Sequence, residues 1–355
     1  MKRYLLLAST LLLSLISSAQ TQVTDYQPGV TEEGITYFLP QTYVRVVVTA
    51  KKVHHTPGEF CEYAQRYLRL NDVPQTAYDE WTVQSVELAS FGKADKSRAY
   101  SVKLKSKTSA PLVSLSQDGR LLAINTSSMG EAKLKAASVV KDEAQQTQTG
   151  NYKTQEILSA GSTAKMAELT ANEIYDIREN RGLLSKGQAD FMPKDGEQLR
   201  LMLANLDNQE DGLLRLFTGT ESSETHTLVF DVLPTADATK TLLFRFSKYL
   251  GVVDNDDPAG VAFYLDVKDL KTTPEAVADP KAKAKKEVED VRYAVPSRVS
   301  VRVYTDEKEY VSNSFPMAQF GHVEHLGADL FNKKMTTHIQ FYPETGGIAH
   351  VEGEE

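Results

Sequence analysis

The chain has a single cysteine, Cys61, in 355 residues. No intrachain disulfide can form, so core packing must hold the fold. Tryptophan is as scarce, with Trp81 alone. GxSxG, P-loop and HExxH motifs are absent, as is GxGxxG at any strand–helix junction. The sequence signatures of nucleophile-elbow hydrolases, phosphate cradles and zincins are therefore missing. Positive charge is scarce too. The formal net charge is −8, and it is uneven: residues 20–126 carry 12 Lys/Arg against 11 Asp/Glu, while residues 127–355 carry 26 against 37. An acidic second half excludes phosphate-backbone binding, so no nucleic-acid partner is expected. The one basic cluster, Lys281-Ala-Lys-Ala-Lys-Lys286, follows Asp279 and precedes Glu287-Val-Glu-Asp290. It reads as a solvated, self-neutralising loop.

What is present begins at residue 1. Met1-Lys2-Arg3 is basic, Tyr4 to Ile16 is almost wholly apolar, and Ser17-Ser-Ala19 supplies small residues before Gln20. This pattern predicts a signal peptide over 1–19 and an exported protein, periplasmic or extracellular. The cleavage region contains no cysteine, so a lipoprotein is not expected. No later run reaches ~18 apolar residues, so no transmembrane helix is expected after the leader. The remaining roughly 336 residues fit about two domains.

Periodicity divides them. Val44, Val46 and Val48 share one face of a strand. Thr56-Pro-Gly-Glu59 reads as a capping box with proline at the first helical position. Phe60, Tyr63, Ala64, Tyr67 and Leu68 then form a helical stripe, with Cys61 packing at its border. Strands Trp81–Ser90 and Arg98–Lys105 flank a hairpin-like turn at 91–96, and Asp118-Gly119 is a hairpin signal between two more. Residues 20–126 therefore read as an α+β domain, an antiparallel sheet with one helix. Residues 127–155 are polar and unpatterned, a linker. A helical pair fills 156–221, from Thr163 to Leu184 and from Asp195 to about Phe217, with Gly219 as C-cap. Alternation at Leu228/Phe230/Val232, Leu242/Phe244/Phe246, Val261/Phe263/Leu265, Val299/Val301/Val303 and Ile339/Phe341 predicts a β-sandwich over 222–355.

Several constellations could carry chemistry. Ser162-Thr-Ala-Lys165 has SxxK spacing, but its companion motifs are absent and a helix cap explains it. His322-Val-Glu-His325 with His338 is a thinkable metal set; the flanking Phe320-Gly321 and Leu326-Gly327 predict a turn carrying surface histidines. His54-His55, placed on a strand-to-helix loop, reads the same way. Asp254-Asn-Asp-Asp-Pro-Ala-Gly260 is acidic, yet Pro258 and Ala259 spoil a calcium register, leaving a solvated connection. Trp81 and sixteen tyrosines could stack on sugars. Arg178 and Arg181, one turn apart, could bind a partner's anion or carboxylates within the protein; the internal role is preferred. No catalytic, metal or cofactor-binding residue is assigned, and no cofactor is expected.

Six segments carry a resemblance: Ile35-Thr-Tyr-Phe-Leu-Pro-Gln-Thr42, Pro57-Gly-Glu-Phe-Cys-Glu-Tyr-Ala64, Ile177-Arg-Glu-Asn-Arg181, Leu216-Phe-Thr-Gly219, Ala318-Gln-Phe-Gly321 and Phe341-Tyr-Pro-Glu-Thr-Gly346. Their order and spacing resemble an uncharacterised domain-of-unknown-function family of exported Bacteroidetes-type proteins of about 350 residues. The resemblance covers nearly the whole chain after the leader. It implies export and this layout, with the Lys281–Lys286 excursion extra to the pattern. It implies no activity and no site residues. The resulting expectation is a non-enzymatic envelope protein that binds an envelope protein or glycan. The alternative is a hydrolase of glycan or peptide with a carboxylate pair that spacing alone does not reveal.

Overall fold

The computed structural model describes residues 30–31, 34–102, 113–141, 152–273, 291–326 and 336–354. The apolar leader and the Lys281–Lys286 cluster lie outside them.

Long β-branched runs make long strands. After the short β1 (Val30–Thr31), β2 spans Gly34–Thr56 and pairs antiparallel with β3 (Tyr78–Val102), from Ile35↔Val102 to His55↔Tyr78. The turn expected at 91–96 is not a turn, because β2 continues past it. Instead, four residues of β3, Asp95–Arg98, stand opposite the single residue Leu39, as a bulge. The helix expected at 57–68 is shorter, a 3₁₀ turn at Cys61–Tyr63 followed by α1 (Ala64–Leu68). Its capping box does not form, because Thr56 stays in β2, paired with Thr220.

β4 (Val113–Leu115) and β5 (Leu121–Ile124) form the hairpin signalled by Asp118-Gly119. Within the stretch expected as a linker, β6 (Ser138–Lys141) adds to the edge of β7 (Thr220–Val232). Between these strands come α2 (Gln155–Leu158), α3 (Thr163–Lys186) and α4 (Gly196–Thr218). Ser162 and Asp195 cap α3 and α4 with their side chains, and Gly187 and Gly219 follow them with positive φ. The expected inward positions Ile174, Ile177, Leu213 and Phe217 are buried, and Ala167 and Ala171 let α3 approach closely.

The strands after residue 222 divide among three sheets. β7 joins the first, in the order β1-β2-β7-β6 with β3 on the other edge of β2. The second is β12-β11-β10-β8-β9, built from β8 (Ala238–Ser247), β9 (Gly251–Val253), β10 (Val261–Asp269), β11 (Val291–Tyr304) and β12 (Glu309–Leu326). In the third, β13 (Thr336–Phe341) and β14 (Ile348–Glu354) join β5 and β4. Segments 20–126 and 222–355 therefore share their sheets. The coarse class is α+β, with antiparallel sheets, a helix on the N-terminal sheet, a helical pair and a C-terminal sheet.

Two cores result. Val44, Val46, Val48 and Ala50 of β2 are fully buried against Phe244, Phe263, Leu265, Val299, Val301 and Val303 of the second sheet. Each buried side chain of this size contributes about 1.5–3 kcal/mol of transfer free energy. Phe230, Phe244 and Phe263 stack in a row at 4.7 and 4.5 Å between centroids. The other core gathers Tyr37 and Leu39 with Leu121, Ile124, Ile339 and Phe341. Odd-numbered Tyr37 and Leu39 of β2 enter this core and even-numbered Val44 to Ala50 enter the first; with side chains alternating at period two, one strand serves both cores from its two faces.

Candidate functional site

The six resembling segments condense into two places. Three of them meet where the long hairpins bend. Pro40 in β2 follows the Asp95–Arg98 bulge of its partner. In the other hairpin, four residues of β12, Ala318–Gly321, stand opposite the single Pro296 of β11. Proline has no N–H for the ladder, so each bend falls where a hydrogen bond is already lost. The turn Tyr342–Gly347 fills the space between the bends. Gly346, with φ +70, lies against the Pro40 ring, and Gly347 lies beside Pro296.

Polar groups tie this joint together. Gln319 accepts from the Thr42 N–H at 3.0 Å and donates to the Thr42 carbonyl at 2.8 Å and the Pro234 carbonyl at 2.7 Å. The Thr42 hydroxyl donates to the Glu344 carbonyl at 2.9 Å and accepts from the Ala318 N–H. Arg120 is buried; its Nη1 donates to the Pro343 carbonyl at 2.6 Å, its Nε to Asp118 at 2.7 Å and its Nη2 to Glu131. Burial alone would raise the Asp118 carboxyl. The Ser116 hydroxyl, the Arg120 guanidinium and the Ala94 N–H outweigh it and hold Asp118 below its ordinary range. A general acid needs the opposite shift. Asp118 and Glu131 are the acceptors for the buried Arg120 guanidinium.

The other three segments meet beside the helical pair. Phe60, Ala64, Ile177 and Phe217 share one apolar cluster. The Phe60 N–H donates to the Leu216 carbonyl at 2.7 Å. A methyl at Gly58 would collide with that same carbonyl, and one at Gly219 with the Thr56 carbonyl. Arg178 and Arg181 both reach Glu210, at 2.6 and 2.7 Å, and Arg181 also reaches Asp207 at 2.8 Å. The internal role preferred for these arginines is the one observed. Glu210 is only 8 % exposed on the helix face toward α3; it was not foreseen.

The remaining candidates disperse. His54 and His55 belong to β2, not to a loop. His54 is exposed and lies 2.6 Å from Asp79, whose carboxyl His54 and then Lys52 hold low. His55 is not a surface residue. It is 3 % exposed, stacks on Tyr78 at 5.0 Å, and neither ring nitrogen has a hydrogen-bond partner among the described residues; its Nδ1 lies 4.0 Å from Glu221. His322 and His325 lie on strand β12, not a turn, and residues three apart on a strand face opposite sides. His322 lies 2.8 Å from Glu324, which also accepts from the Tyr293 hydroxyl at 2.8 Å. Burial and then Glu324 push that phenol up to about 12, making it a donor. His338 lies on β13, 2.6 Å from the Asn125 carbonyl. Among the described residues, no three His, Cys, Asp or Glu side chains gather as a metal set. In the 254–260 loop, Arg245 takes the Asn255 and Gly260 carbonyls. Ser162 accepts from the Lys165 N–H, and the lysine amine pairs with Glu168. Trp81 is half-buried, 4.6 Å from the His226 ring, with Gly251 against its indole.

The arrangement defines a class of protein: an antiparallel α+β scaffold in which two proline-bent hairpins close on one glycine turn. The chain belongs to the family described as domain of unknown function DUF4831, matched over residues 33–349. No curated protein and no solved structure matches it.

Joint residues Arg120, Glu131 and Gln319 could not be assigned from sequence. The available signal was a proline inside each strand-like run, which marks a bulge.

Proposed function

We propose that this is an exported cell-envelope protein that binds a partner, protein or glycan, and is not an enzyme. The supporting observation is where exposed apolar side chains gather. The polar joint satisfies its own groups, whereas exposed apolar side chains gather in several places, Val139 and Val140 of β6 among them. In the largest group, Tyr249 and Leu250 form the turn between β8 and β9, and Val252 and Val261 flank Phe246 in the neighbouring strands. Another is the loop joining α3 to α4, with Phe191 and Met192. Large apolar side chains left exposed together mark interaction surfaces more often than single ones do. In this reading the first and second sheets act as the layers of a sandwich, a rigid support for these groups.

The test is a pull-down from the envelope fraction, comparing wild type with a Tyr249→Ser/Leu250→Ser variant. Capture of an envelope protein or glycan that the variant loses supports the reading. Cleavage of envelope glycan or peptide by the purified protein would replace it with the hydrolase alternative.

A further inference from the structure

Three of the seven histidines, His54, His55 and His226, gather at one end of the first sheet, each near a carboxylate. His54 lies 2.6 Å from Asp79 and His226 lies 3.2 Å from Glu224. His55 differs from both. It is buried, and its two ring nitrogens have no hydrogen-bond partner among the described residues. A neutral imidazole carries one donor and one acceptor, and here neither is used.

The groups around the ring offer more to an imidazolium. His55 and Glu221 are direct cross-strand neighbours on β2 and β7, and Nδ1 stands 4.0 Å from the carboxylate. The Glu221 side chain is 65 % exposed and has no other ion pair among the described residues. On the opposite side Tyr78 of β3 stacks on the ring. Gly219, the C-cap of α4, lies against it, since a methyl there would come within 3.0 Å of the His55 Cε1. The ring therefore sits at the carbonyl end of a 23-residue helix, where positive charge is favoured. The last turn of that helix carries one basic residue, Arg215. The other nearby carboxylates are taken: Asp79 also binds Lys52 at 3.1 Å, Glu59 binds Lys153 at 2.5 Å and Glu80 binds Lys248 at 3.0 Å.

We propose that His55 and Glu221 form a proton-operated clasp between β2 and β7. The 4.0 Å separation is its open state. A proton from solvent makes both ring nitrogens donors, and the surface carboxylate closes by about 1 Å onto Nδ1 in a charge-assisted bond. Closing ties the start of β7 to the end of β2. The same place seats the helical pair: Phe60, just after β2, donates its N–H to the Leu216 carbonyl at the end of α4. The clasp thus firms that seat on the acid side of the ordinary imidazole range and releases it above. This regulation stands apart from the partner-binding reading.

The experiment is amide hydrogen exchange of the purified protein at about pH 7.5 and about pH 5.5, where imidazoles titrate and carboxylates stay ionised. Rates are corrected for the intrinsic effect of pH. Wild type is compared with Glu221→Gln, which folds because the side chain is exposed. Protection at the pairs His55↔Glu221 and Thr56↔Thr220 should rise about tenfold in wild type on going to the lower pH. The rise should be lost in Glu221→Gln. Urea midpoints of the two proteins should coincide at the higher pH and separate at the lower, with wild type above. Protection that does not rise in wild type overturns the proposal. So does an equal rise in Glu221→Gln, which assigns the acid response to His54 or His226. A wild-type midpoint that falls below that of His55→Phe at the lower pH also overturns it, because the buried ring is then a packing group that charge disrupts.

Discussion

Gln319 stands in for a missing strand neighbour of Thr42. Its side-chain oxygen accepts from the Thr42 N–H at 3.0 Å and its amide donates to the Thr42 carbonyl at 2.8 Å, as a paired backbone would. The β2–β7 ladder ends at Val44↔Val232, two residues short of Thr42, and Gln319, carried in the β12 bulge, takes the empty place. Gln319→Leu strands both Thr42 groups and the Pro234 carbonyl. Each unmade buried bond costs about 1–3 kcal/mol, so a loss of several kcal/mol is expected in urea denaturation. Gln319→Glu should also destabilise, because a carboxylate cannot donate to either carbonyl. A glutamate variant as stable as wild type would contradict this role.

The arginine clamp on Glu210 should show cooperative loss. Arg178→Ala and Arg181→Ala should each lower stability by about 1–2 kcal/mol, since both guanidinium groups are partly exposed. The double variant should cost more than the sum, because the second removal leaves a buried carboxylate uncompensated. Adding Glu210→Gln to the double variant should recover part of the loss. Thermal melts of the set check this.

Two glycines should respond in opposite directions. A methyl at Gly321 would collide with the Val295 carbonyl oxygen in the opposite strand. Gly321→Ala must shift backbone and should cost about 1–3 kcal/mol. Gly182, within α3, has open space around it. Gly182→Ala should stabilise by up to about 1 kcal/mol through helix propensity.

Acid should loosen the joint. Asp118 is held below its ordinary range when folded, so it binds a proton less readily than in the unfolded chain. Its contribution is complete above the unfolded value, about 3.9, and is lost as pH falls through the lower folded value. Asp79, Asp231, Asp266 and Glu324 are lowered too and act with the same sign. Urea midpoints should fall steeply below about pH 4. In Asp118→Asn the fall should be shallower and the neutral-pH midpoint lower.

Cys61 lies half-buried in the 3₁₀ turn at the border of the helical cluster. Cys61→Ser should cost no more than about 1–2 kcal/mol and leave capture in the envelope pull-down unchanged. Lost binding at unchanged stability would give the thiol a role beyond packing.

The sequence by itself determined whatever depends on neighbours along the chain. The caps Ser162 and Asp195, the Asp118-Gly119 turn, the α3 and α4 stripes and the alternation of Val44–Val48 are local, because helical and strand periodicities act over a few residues. The arginine pair was legible for the same reason, although its partner, a glutamate 32 positions away, was not. Tertiary structure decided the rest. Residues 91–96 have the composition of a turn yet stay in β3, because β2 runs on beside them and β3 takes up its extra residues, Asp95–Arg98, as a bulge. His55 looks like a loop residue but is buried, because β7 arrives from residue 220 to pair with the end of β2. The capping box at Thr56 yields to that same pairing, since thirteen consecutive residues of β2, Val44 to Thr56, are matched there against β7. The joint of Thr42, Arg120, Gln319 and Gly346 joins segments up to about 300 positions apart. Local propensity has no means of expressing contacts that exist only once the sheets have assembled.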